Sequence, residues 1–184
     1  MKNTLLGLFF TGLTAITNAQ THENHDSIAT VKEQITTVLN PAYLHRVNQG
    51  INARVVNELE LLAANYDITK AGIYEESATM SYNVRLGNGK NQIRAVFDHN
   101  GILVRTEEKY KDIVLPLSLR IAIAKKYPGW VFSECSYKLT YTINKEVERY
   151  CSMTLERGKK KMRIKFAIPT DNSFSESTRI AYGI

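Results

Sequence analysis

The apolar positions of this chain change their period in a definite order, and that order predicts its elements. Over 52–65, Val55, Val56, Leu59, Leu62 and Ala63 recur at helical spacing, with Asn52 placed to cap the start. The period then becomes two. Ala78, Met80, Tyr82, Val84 and Leu86 alternate with Thr79, Ser81, Asn83 and Arg85, as a strand with one buried face requires. Asn88-Gly89 reads as a two-residue hairpin turn with both residues at positive φ. With Gly87 opposite Lys90, Val84 would face Ile93, Tyr82 would face Ala95 and Met80 would face Phe97, all on one side. A further turn at His99-Asn100-Gly101 predicts a third strand over 102–106. Upstream, 35–39 and 43–47 read as strand or irregular lead-in, interrupted by Asn40-Pro41.

A second cycle follows. Leu115-Pro116 opens a broadly apolar helix carrying Leu117, Leu119, Ile121, Ile123 and Ala124, and Pro128-Gly129 ends it. Val131, Cys135, Tyr137, Leu139, Tyr141 and Ile143 form the apolar face of a long strand, whose partner runs over 147–155. With Arg157-Gly158 as the next turn, Met153 would face Met162, Cys151 would face Ile164 and Val147 would face Ile168. The segments 82–97 and 151–166 are therefore one repeat at a constant offset of 69. Leu86 matches Leu155, Gly89 matches Gly158, Lys90 matches Lys159, Arg94 matches Arg163 and Phe97 matches Phe166. The shared positions belong to sheet faces and turns, and an insertion around 141–147 lengthens the second copy.

The first residues have a different character. Lys2, the apolar run 5–16 and the small residues Thr17 and Ala19 form a signal-peptide pattern over 1–19, with cleavage near Ala19 and a periplasmic or extracellular product. The apolar run is too short to span a bilayer, no later stretch suits a transmembrane helix, and no cysteine follows the cleavage site to carry a lipid. A polar arm over 20–34 precedes two units, 35–110 and 111–184. The 184-residue chain carries a formal charge of +6, which permits anionic partners without demanding them.

Candidate chemistry is sparse. Cys135 and Cys151 share the apolar parity of adjacent strands and can stand opposite one another, so a structural disulfide is expected in an oxidising compartment, with two buried free thiols as the alternative. His22 and His25 lie in the polar arm and lack further ligands, while His45 and His99 stand alone. Gly87-Asn88-Gly89-Lys90 lacks the glycine spacing and following hydroxyl of a nucleotide-binding loop. Glu75-Glu76 and Glu107-Glu108 are adjacent carboxylates that a strand turns to opposite faces, and read as solvated charge. No catalytic residue, cofactor site or metal site is expected. The remaining candidate is the basic run Arg157, Lys159, Lys160, Lys161, Arg163 and Lys165, a positive ridge beginning in a turn. It reads either as solubilising charge that protects a sheet edge or as a patch for an anionic polymer or acidic protein; a nucleic acid is not expected.

Some of these residues resemble a known family. Tyr127-Pro128-Gly129-Trp130 between helix and long strand, Leu155 with Gly158-Lys159 in the hairpin, and the segment from Phe97 through Asp98, Gly101, Leu103 and Arg105 to Glu108 are similar to the secreted PepSY-like proteins, related in fold to the beta-lactamase-inhibitor protein. The resemblance covers roughly 52–174. It implies an α+β fold of tandem units, helices packed on one face of an antiparallel sheet, and a binding or inhibitory protein without catalytic residues. A protein partner is the first expectation and an anionic envelope glycan on 157–165 the second. In the last copy, Pro169 to Ser173 replaces the family's turn ahead of a final strand near Phe174.

Overall fold

Period-two alternation becomes one continuous sheet. The computed structural model describes residues 37–75, 80–168 and 180–183. The segment with the signal-peptide pattern, the whole of the polar arm with His22 and His25, and Glu76, Ala78 and Phe174 lie outside the described residues. Seven strands follow one another in chain order, each antiparallel to the next: β1 (Tyr82–Asn88), β2 (Asn91–Phe97), β3 (Leu103–Lys111), β4 (Val131–Thr142), β5 (Glu148–Arg157), β6 (Lys160–Ala167) and β7 (Ile180–Gly183). Among the described residues three α-helices accompany them, α1 (Pro41–Val47), α2 (Arg54–Ala64) and α3 (Leu117–Lys126), with a short 3-10 helix at Ile68–Lys70. The class is α+β. The 35–110 and 111–184 segments share this sheet through the β3–β4 pairing of Arg105 with Thr142 and Lys111 with Ser136.

Both hairpins form, and both slide by two residues from the expected pairing. Leu86 faces Ile93 and Tyr82 faces Phe97, so Gly89-Lys90 is the loop; Leu155 faces Met162, Met153 faces Ile164 and Cys151 faces Phe166, so Gly158-Lys159 is the loop. A slip of two preserves which face each side chain takes, and the 69-residue offset survives in the register. The slide has a packing reason: Phe97 is buried, and it gains Tyr82 opposite it in place of Met80, which is 64% exposed. Positive φ falls on Gly87 (88°) rather than on Asn88 or Gly89, so the expected primed turn is absent from the first hairpin.

The helical layer differs more. Asn40-Pro41 starts α1 instead of interrupting a strand, because proline has no N–H to lose at a first helical position. Ala53, not Asn52, precedes α2 and makes no side-chain cap; the Asn52 side-chain oxygen accepts a hydrogen bond from Asn57 at 2.6 Å. The buried stripe of α2 is Val56, Glu60, Ala63 and Ala64, whereas Leu62 is exposed. In β4 an irregularity between Phe132 and Glu134 breaks the expected alternation, leaving Val131 exposed while Tyr137, Leu139 and Tyr141 are buried. The core joins helix residues Tyr43, Val47, Val56, Ala63, Leu119 and Ile123 to one parity of the strands, including Ile93, Phe97, Tyr110, Tyr137, Leu155, Ile164 and Phe166.

Candidate functional site

The other parity of the strands forms a face of charge. Arg85 and Arg94 stand directly opposite one another, then Glu107, Thr140 and Glu148 continue the same row across β3, β4 and β5. A second row runs Gln92, Lys109, Lys138, Tyr150 and Ala167, and a third runs Lys111, Ser136, Ser152 and Lys165. These side chains are exposed or half-buried, whereas their neighbours along each strand are mostly in the core. Arg105, Lys161 and Arg163 add to the basic side, against Glu107, Glu148 and Glu156. The sheet face is thus a lattice of short hydroxyls and long cations, with Tyr150 as its exposed aromatic ring.

The predicted basic run divides within this geometry. Lys161, Arg163 and Lys165 lie on the charged sheet face, while Lys159 belongs to the hairpin loop. Arg157 lies over the Trp130 ring, 5.0 Å from its centre, and Lys165 lies over Tyr150 at 4.5 Å. Lys161 pairs with the facing Glu156 at 2.8 Å. Lys159, Lys160 and Arg163 are exposed, and the described residues give them no ion pair or ring contact.

Beneath the helices lies a polar cluster for which the sequence reading has no counterpart. Glu108, expected in solvent, is buried: its Oε1 accepts hydrogen bonds from Tyr43 and Thr106, both at 2.8 Å, and its Oε2 accepts one from Tyr110 at 2.7 Å. Strand alternation explains the place, because Thr106, Glu108 and Tyr110 all point to the core while Glu107 points away. Glu60 enters from α2 and Arg149 from β5, both almost wholly buried. The Arg149 guanidinium donates to the carbonyls of Val147 and Arg46. Burial and the neighbouring Glu108 push the Glu60 carboxyl up to about 8, against the pull of Arg149. Burial also raises Glu108, partly offset by its three hydroxyl donors. Tyr43 and Tyr110 are held protonated by burial and by Glu108. The cluster ties α1 and α2 to the sheet. Its carboxylates are closed off from solvent.

Cys135 and Cys151 are brought together, though not as expected. The register pairs Cys135 with Met153 and Tyr137 with Cys151, so the two cysteines stand diagonally, not opposite. Their Sγ atoms nevertheless approach to 3.5 Å, as thiols. His45 and His99 are exposed, on α1 and in a turn. Among the described residues no three His, Cys, Asp or Glu side chains gather as metal ligands, and no helix is long and apolar enough to cross a membrane. A groove of about 750 Å³ lies between the start of α2 and the start of α3; Asn52, Arg54, Glu58, Asp112 and Arg120 line it with apolar residues, and no hydroxyl, thiol or imidazole side chain among the described residues does. Comparison with family models, with curated proteins and with solved structures returns no match to the chain.

Proposed function

We propose that the chain is an exported, non-enzymatic binding or inhibitory protein of the PepSY-like kind, which holds a protein partner through the charged sheet face. The observation that carries this reading is the sheet face that no other element among the described residues covers. Arg85, Arg94, Arg105, Lys109, Lys138, Lys161, Arg163 and Lys165 outnumber the carboxylates among them, so the complementary partner surface is acidic. Short Ser and Thr side chains between the cations let another surface approach, and Tyr150 supplies an amphipathic contact near the middle. The groove at the helix starts lacks a nucleophile with a base, which favours binding over catalysis. A signal-peptide pattern and the tandem hairpins support the export and family parts of the proposal.

Affinity capture from periplasmic extract tests it with two charge-reversed chains. A Lys138→Glu/Arg163→Glu/Lys165→Glu variant is expected to lose the partner that the parent chain retains, while Lys159→Glu/Lys160→Glu at the hairpin loop keeps it. Retention by the face variant, or no specific partner for the parent, contradicts the proposal. Loss confined to the loop variant, together with salt-sensitive binding of the parent chain to an acidic glycan, favours the second reading, for which the exposed Lys159 and Lys160 are the supporting observation.

A further inference from the structure

We propose that Cys135 and Cys151 form a reactive dithiol site that exchanges with a disulfide-bearing oxidant, Cys135 attacking first and Cys151 resolving. The sulfur atoms are 3.5 Å apart, on adjacent strands and on the same side of the sheet. Their access differs. Cys151 is fully buried, whereas Cys135 is partly open to solvent and lies beside the irregularity at Phe132 and Glu134. An external disulfide therefore meets Cys135 first, and the product it leaves lies within reach of Cys151. Proton affinities run the same way: contact with the Cys151 thiol lowers Cys135, while Cys135 and burial raise Cys151.

The exchange balances with oxidised glutathione as the oxidant. The Cys135 thiolate attacks one of its sulfurs, forming a mixed disulfide and releasing one glutathione thiolate, which takes up a proton. Cys151 then gives up its proton and attacks the Cys135 sulfur, breaking the mixed disulfide and releasing the second glutathione. Two protein thiols become one disulfide, and one glutathione disulfide becomes two thiols. The bridge would join β4 to β5 where the Cys135 carbonyl also accepts the Asp112 N–H at 2.8 Å. Oxidation therefore fixes the corner at which the chain leaves β3 for α3. This differs from a passive structural bridge in assigning separate roles to the two sulfurs.

The test follows the full, reduced, folded chain by intact mass during exposure to oxidised glutathione. A transient adduct of one glutathione is expected, replaced by a species lighter than the reduced chain by two hydrogen atoms. Cys151→Ser is expected to stop at the adduct, mapped to Cys135, and Cys135→Ser to react at least about tenfold more slowly. If either variant fails to fold, brief iodoacetamide labelling of the reduced parent chain replaces it, with Cys135 expected to be modified about tenfold faster than Cys151. A bridge that forms only in denaturant, or equal reactivity of the two sulfurs in the folded chain, overturns the proposal.

Discussion

Glu60 is a carboxyl group that α2 carries into the core, beside Glu108 and Arg149. Its affinity for protons rises on folding, to about 8, because burial and Glu108 both disfavour the charge. Between the unfolded carboxylate range, near about 4.3, and about 8, the folded chain holds a proton that the unfolded chain has released, so this group makes stability fall as pH rises through that window. Glu60→Gln keeps the shape without the titration. Urea unfolding between about pH 5 and about pH 9 is expected to show a flatter pH profile for the variant and a higher midpoint than the parent at the alkaline end; parallel profiles contradict it. Glu108 makes a separate prediction. Glu108→Leu leaves the hydroxyls of Tyr43, Thr106 and Tyr110 buried without their acceptor. A loss of roughly 3 kcal/mol or more in urea unfolding is expected, and a change under about 1 kcal/mol contradicts the anchoring role. Glu108 was legible only through the alternation of Glu107 and Glu108, which sends one of the two inward, and it reads as solvated charge because the expected strand ends at 106. Glu60 and Arg149 were not, because helical spacing marks a position as inward without saying that a partner waits there to receive a charge.

Turns decide what can be read at the element scale. Alternation in β1, β2, β5 and β6 identifies the core-facing parity, since a slip of two residues changes every pair and no face, although Met80 beyond the start of β1 is exposed and Val84 and Met162 are half-buried. The loop residues are harder to read, because Asn88-Gly89 and Gly89-Lys90 are both acceptable turns and the choice falls to the packing of Phe97. Gly87 carries the consequence. At φ 88° an added Cβ would lie 2.4 Å from the Asn91 carbonyl oxygen, whereas Gly89 has nothing within 4 Å and no left-handed φ. Gly87→Ala is therefore expected to destabilise by roughly 1–3 kcal/mol and Gly89→Ala by less than about 0.5 kcal/mol, measured by urea unfolding. The reverse order would restore the turn at Asn88-Gly89. In the helical layer, α1 escaped the apolar pattern because it is short, and the outward Leu62 drew the predicted α2 stripe away from Glu60.

Among the described residues of the unit over 36–184, helices and a polar-anchored core lie on one side of the sheet, and cations, hydroxyls and Tyr150 on the other. The repeat and the alternation made the sheet and its two faces legible. The concentration of charge on one face was less so, because it requires side chains from six strands to be placed in rows by a register that sequence leaves open by two residues. The basic hairpin stood out as a contiguous run, yet it is only one border of the surface to which Arg94, Lys109 and Lys138 also belong. Lysine acetylation, mapped by mass spectrometry with and without the partner captured by the parent chain, tests the role of that surface most directly. Lys109, Lys138 and Lys165 are expected to lose reactivity in the complex while Lys125 and Lys126 at the end of α3 keep theirs. Protection of Lys125 and Lys126 with the sheet-face lysines unchanged would contradict the assignment of the sheet face as the binding surface.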